Sequence, residues 1–162
     1  WENDEAKAAN LNRIKEIHAE LGWRLLLDEH VYIEKGEDKI ALIGVENWGA
    51  GFHQIGDLAV AYNGCEAPVK LLLSHDPTHW DEEVRKRYKD IDITFSGHTH
   101  GAQMGVETGG FKWSPISLRY DKWAGLYQEE DQYLYVNRGY GFLGYPGRIG
   151  IWPEITVMTL NS

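Results

Sequence analysis

With 162 residues, 43% of them hydrophobic and 25% charged, the chain has the length and balance of one globular domain with a real core. A formal net charge of −9 argues against a general nucleic-acid binder, which needs a basic footprint. The single cysteine, Cys65, excludes an internal disulfide, and no run approaches the roughly 20 apolar residues of a membrane-spanning helix.

Residues 4–21 read as an amphipathic helix, because Leu11, Ile14, Ile17 and Leu21 recur at helical spacing. Asn3 or Asp4 can cap its start, Gly22 sits where a C′ glycine belongs, and His18 falls on the apolar side as a partly buried structural residue. Residues 23–28, 30–35 and 39–45 read as strands, with Gly36-Glu37-Asp38 as a turn. The Val31/Ile33 alternation gives the second strand one wet face, and the continuous apolar run from Ile40 to Val45 marks the third as central. Asn47 to His53 is a glycine-rich aromatic loop, and 56–63 reads as a short helix ended by Gly64, with Asp57 in a capping position. Strand 69–74, helix 78–89 and strand 91–96 compose a βαβ unit, which implies a parallel pair. A polar-aromatic region (111–131), a strand (133–137), a glycine-rich loop (139–150) and a last strand (154–160) follow. Most of the seven tryptophans are expected in the core or as pocket walls.

The chemistry concentrates where the two strands of the βαβ unit end. The second runs into Gly97-His98-Thr99-His100-Gly101-Ala102-Gln103, and in an extended segment residues i and i+2 share a face, so His98 and His100 are expected side by side as a metal site needs. The first runs into Ser74-His75-Asp76-Pro77, which brings a third imidazole to the same edge of the sheet. Asp76 starts the following helix and can act as an acceptor behind the ligands; Gln103 is expected to orient the motif loop through backbone hydrogen bonds. His79, one turn further on, is expected to face solvent, with a place on the pocket rim as the alternative. His53 and Arg138 are candidate substrate contacts, the latter as a bidentate phosphate donor.

A lone His after one strand and Gly-His-x-His after the next resembles the calcineurin-like metallophosphoesterase family. Tyr135-Val136-Asn137-Arg138-Gly139 and Pro153-Glu154-Ile155-Thr156-Val157 look like its closing strands. The resemblance runs from about Leu21 to Leu160 and is specific at 74–77 and 97–103. It implies an α/β fold with mixed β-sheets flanked by helices, the C-terminal part of a four-layer α/β/β/α sandwich. It also implies hydrolysis of phosphate esters at a centre of two divalent metal ions (Mn, Fe or Zn), with His75 and His98 on one ion and His100 on the other. Phosphodiester or pyrophosphate substrates, as small molecules, nucleotides or lipid-linked phosphates, are favoured by likeness to bacterial members with a Gly-His-Thr-His-Gly-Gly-Gln-like motif, from which Ala102 departs.

The family's other ligands come from an Asp-x-His, a Gly-Asp-x-x-Asp/Asn and a Gly-Asn-His. This chain has no Gly-Asn-His; Asp28-Glu29-His30 and Gly56-Asp57 imitate the other two and are read as imitations. The chain opens at Trp1 without a methionine, so residues 1–162 are expected to be the C-terminal portion of such a domain, inactive alone, with any membrane anchor lying upstream and sheet edges left open to dimerisation. Two alternatives stand beside this: an interaction module binding one metal ion or none, and a self-sufficient hydrolase in which Asp28, His30 and Asp57 are true ligands.

Overall fold

The computed structural model describes residues 1–160. Strands β1 (Glu29–Lys35) and β2 (Asp38–Gly44) form an antiparallel hairpin. Strands β3 (Val69–Leu73) and β4 (Ile93–Ser96) add in parallel. A small hairpin of β5 (Val106–Thr108) and β6 (Phe111–Trp113) stands apart from the sheet. Strand β7 (Gly125–Glu129) pairs antiparallel with β8 (Gln132–Val136), which itself lies parallel to β4. The result is one six-stranded mixed sheet in the order β1-β2-β3-β4-β8-β7. The chain is thus mixed α/β, with helices flanking a mixed sheet; the second large sheet of a four-layer sandwich is not formed among the described residues.

One face of this sheet carries the core. Ile43, Leu72, Leu134 and Val136 meet Leu58 and Ala61 from helix α2 (Leu58–Tyr62) and Trp80 and Val84 from helix α3 (78–87). All eight are at most 1% exposed, the environment in which each aliphatic or aromatic side chain contributes about 1.5–3 kcal/mol of transfer free energy. Cys65 lies in the same cluster as a free thiol whose pKa burial pushes up. Asp57 caps α2 by accepting from the Val60 N–H. Helix α3 is regular only at its ends: Trp80–Val84 form a π turn, and a widened turn of this kind is often found at functional sites. The simple helix expected over 78–89 is therefore shorter and distorted.

Helix α1 (Asp4–Glu20) forms as the periodicity requires, capped by Asn3 accepting from Ala6 N–H, with Gly22 at φ 72. Its apolar stripe covers nothing in the described chain: Leu11, Ile14, Ile17 and Leu21 are each 38–54% exposed. The tryptophans depart from expectation for the same reason. Only Trp80 and Trp123 are buried, while Trp1, Trp23, Trp113 and Trp152 sit on surfaces that no other layer covers.

Three further expectations change. Residues 23–28 add no strand, because Trp23 N–H closes the helix end on His18 carbonyl and Asp28, at φ 55, turns the chain into β1. Residues 154–160 form no strand either: no neighbouring strand lies beside them, Glu154 N–H to Gly139 carbonyl is their backbone tie, and Ile155 and Val157 are exposed. The region 111–131 contains β6, a 3₁₀ turn at Pro115–Leu118 and β7. Among the described residues no helix is long and apolar enough to cross a membrane.

Candidate functional site

Strands β3 and β4 are parallel neighbours, with Leu73 opposite Phe95, so the loops leaving them start side by side. Main-chain bonds from Ser74 N–H to Phe95 carbonyl (3.0 Å) and from Gly97 N–H to His75 carbonyl (2.9 Å) sew those loops together. The His75 and His98 rings consequently meet edge to face, centroids 5.1 Å apart, at the C-terminal end of the parallel strands, where open α/β sheets bind ligands.

The motif is not extended, so His98 and His100 are not brought together by strand alternation. His98 (φ 64), His100 (φ 51), Ala102 (φ 49) and Gln103 (φ 55) all adopt left-handed backbone, and His100–Gln103 form a tight kinked turn. Such geometry costs roughly 1–2 kcal/mol per non-glycine residue and is sustained only by its surroundings. The surroundings here are specific. Thr99 hydroxyl donates to Trp123 carbonyl (2.8 Å), and Ser114 hydroxyl donates to Gly101 carbonyl (2.7 Å). Gln103 is buried; its amide donates to Tyr145 and Gly147 carbonyls (2.6 and 2.7 Å), and its carbonyl oxygen accepts from Leu143 N–H. Gln103 thereby ties the motif loop to the glycine-rich loop 139–150.

Asp76 is 1% exposed. One carboxylate oxygen accepts from the Thr78 N–H and hydroxyl (2.8 and 2.7 Å), and the other stands 3.6 Å from His98 Nε2 and 3.5 Å from Tyr120 hydroxyl. It both starts α3 and faces the His98 ring. Gly49 is required beside it, because a Cβ there would come within 2.5 Å of the Asp76 carboxylate. His79 is fully buried rather than solvent-facing: it stacks on Trp48 (4.4 Å), bonds Ser74 hydroxyl through Nδ1 (2.8 Å) and reaches Glu83 through Nε2 (3.1 Å).

The other candidates separate from the histidines. Arg138 is held by Glu154 (2.8 Å) and by Glu107, so its guanidinium serves as a strut between the chain end and the β5–β6 hairpin. His53 is exposed, and Phe52 rather than His53 reaches the site, its ring 5.0 Å from that of His98. Asp28 accepts from Glu46 and Asp57 N–H groups (2.9 and 3.0 Å), and His30 Nδ1 bonds Ala61 carbonyl (2.8 Å). Both are engaged by backbone. Sequence reasoning missed Phe52 and Tyr120, whose rings flank His98 at 5.0 and 5.6 Å. Gly49 and Gly51, just before Phe52, hinted at a close loop approach; nothing marked Tyr120.

The donors suit a divalent transition metal in kind. Burial holds His75 and His100 below the usual histidine range, aided at His75 by His98 and at His100 by Arg148 and His98, which favours the neutral imidazole that binds metal. His100 Nδ1 is buried with no hydrogen-bond partner, an orphaned donor atom of the sort a metal satisfies. In number the donors fall short: among the described residues no group of three His, Cys, Asp or Glu is close enough to hold an ion.

No protein-family model and no solved structure matches the chain. Curated relatives do. The chain is 28% identical over 159 residues to the uncharacterized metallophosphoesterase YkoQ of Bacillus subtilis, covering 93% of this chain and 54% of that protein. It is 32% identical over 158 residues to a Danio rerio transmembrane protein with metallophosphoesterase domain (91% of this chain, 34% of that protein). It is 37% identical over 93 residues to the uncharacterized metallophosphoesterase YkuE of Bacillus subtilis (57% and 31%). These relatives, 28–37% identical to the chain, are named as metallophosphoesterases or as carrying a metallophosphoesterase domain, which supports a calcineurin-like metallophosphoesterase assignment. The chain spans between 31% and 54% of the length of these three relatives.

Proposed function

We propose that this chain is part of a metal-dependent phosphoesterase and that His75, His98 and His100 are its contribution to a two-metal centre. The observation that carries this reading is the convergence of His75 and His98 at the ends of adjacent parallel strands, with the partnerless Nδ1 of His100 in the same strained loop. The remaining ligands, including a bridging carboxylate, lie outside these 162 residues, in the part of the relatives that the chain does not span. Bound divalent ions would supply a hydroxide at neutral pH and a charge to polarise the phosphoryl group. His75 and His98 bring their rings together, the Asp76 carboxylate stands 3.6 Å from His98 Nε2, and the rings of Phe52 and Tyr120 flank His98. Phosphodiester or pyrophosphate substrates are favoured over monoesters.

Hydrolysis of 4-nitrophenyl phenyl phosphate by the full-length protein with Mn²⁺ tests this. The expected result is turnover that His98→Ala lowers by more than about 10–100-fold, the loss that removal of a group merely supporting a metal ligand causes. Undiminished turnover in His98→Ala would contradict it. The shortage of donors favours a second reading, a binding module with one metal ion or none; a full-length protein that binds no Mn²⁺ and hydrolyses nothing would support that instead.

A further inference from the structure

His98 and His100 open onto a cleft of about 370 Å³ whose other walls include Phe52, Ile116, Arg119 and Leu143. Most of that lining is apolar, and no carboxylate contributes to it. Arg119 is the cationic group in the lining. It is exposed, and among the described residues it forms no ion pair, unlike Arg85 and Arg138, each held by two carboxylates. Its guanidinium lies 5.7 Å from the Phe52 ring centroid and 5.8 Å from that of Tyr120, the two rings that flank His98. Cation–π attraction from two rings restrains a guanidinium while leaving several of its five N–H groups to an anion.

We infer that Arg119 is a substrate-binding residue that donates to a non-bridging phosphate oxygen, and that the cleft beside it selects esters whose organic group is aromatic or otherwise apolar. This rests on the phosphoesterase reading above and adds the substrate class to it. The charge argument is local: in a molecule of net charge −9 an anion needs a carboxylate-free entry, and this cleft supplies one around a preorganised donor fork. The size argument is similar. Phe52, Ile116 and Leu143 offer apolar surface to a group attached to the phosphate, which a methyl ester would leave uncovered.

The test uses the full-length protein with Mn²⁺ and two diesters, 4-nitrophenyl phenyl phosphate and 4-nitrophenyl methyl phosphate, together with equilibrium binding of phenylphosphonate. Arg119→Ala is expected to raise KM for both diesters about tenfold, with kcat changed less than about threefold, and to weaken phenylphosphonate binding about tenfold, as loss of a charge-assisted contact does. Arg119→Lys should recover part of both, and Phe52→Ala should erase the preference for the phenyl ester. Wild-type protein that binds phenylphosphonate through Arg119 but turns over neither diester would sink the phosphoesterase reading and keep this site. Active wild-type protein whose KM and phenylphosphonate affinity ignore Arg119→Ala would overturn the site and keep the reading, and absence of phenylphosphonate binding in wild type would overturn it as well.

Discussion

His79 is a histidine next to a histidine site that has a different task. Its partners assign its protons: the Glu83 carboxylate can only accept, so Nε2 carries the hydrogen and Nδ1 accepts from Ser74 hydroxyl. Burial holds its pKa below the ordinary 6.5, outweighing the opposing pull of Glu83. The folded state therefore keeps His79 neutral where the unfolded chain is already protonated. Stability from this group is complete above the unfolded pKa of about 6.5 and declines as pH falls below it, because the unfolded state binds the extra proton. Urea unfolding at pH 8 and pH 5.5 should show the wild-type midpoint falling with acidification, and His79→Gln should flatten that fall. An equal fall in the variant would remove His79 as the cause. The reading of His79 as solvent-facing failed because its burying partners, Trp48 and Ser74, come from the glycine-rich loop and the end of β3 rather than from its own helix.

At the scale of elements, the motif loop is the costly piece. Four consecutive-or-alternate residues, His98, His100, Ala102 and Gln103, hold left-handed backbone without being glycine. Ala102 does so without side-chain ties to the rest of the fold, so its strain has no local return. Replacing it by glycine removes about 1–2 kcal/mol of left-handed strain and adds about 0.5–1 kcal/mol of unfolded-chain entropy. Ala102→Gly is expected to stabilise the protein by about 0.5–1 kcal/mol in urea denaturation; a loss of stability would mean that the loop is not left-handed there. The helix–strand order around this loop was legible, since Val69–Leu73, Ile93–Ser96 and α2 fall where apolar runs and capping residues put them. The loop's conformation was not, because glycines at 97 and 101 signal freedom without saying which residues take positive φ. Residues 23–28 read as a strand on composition, and 154–160 on composition and likeness to the family's closing strands, and neither supplies the neighbouring strand that a ladder needs.

For the whole molecule, the site sits at one sheet end, where the described residues bring no group of three possible ligands close enough to hold an ion. One face of the six-stranded sheet is packed by α2 and α3, while the stripe of α1, several tryptophans and the segment 152–160 present apolar side chains to solvent. That pattern agrees with the share of its relatives that the chain spans, 31–54%, and with the short donor count around His75 and His98. The meeting of His75 and His98 was legible from two strand ends, whereas the left-handed loop that carries His100 was not. Phe52, Arg119 and Tyr120 were not, since they reach the site from loops distant in sequence. The central claim, that these three histidines hold metal, is tested most directly by the metal content of full-length protein saturated with Mn²⁺ and desalted. The account predicts bound metal that falls sharply in the His75→Ala/His98→Ala/His100→Ala variant and persists in Asp28→Asn, whose carboxylate is occupied by the Glu46 and Asp57 N–H groups. Undiminished metal in the triple variant, or its loss in Asp28→Asn, would contradict it.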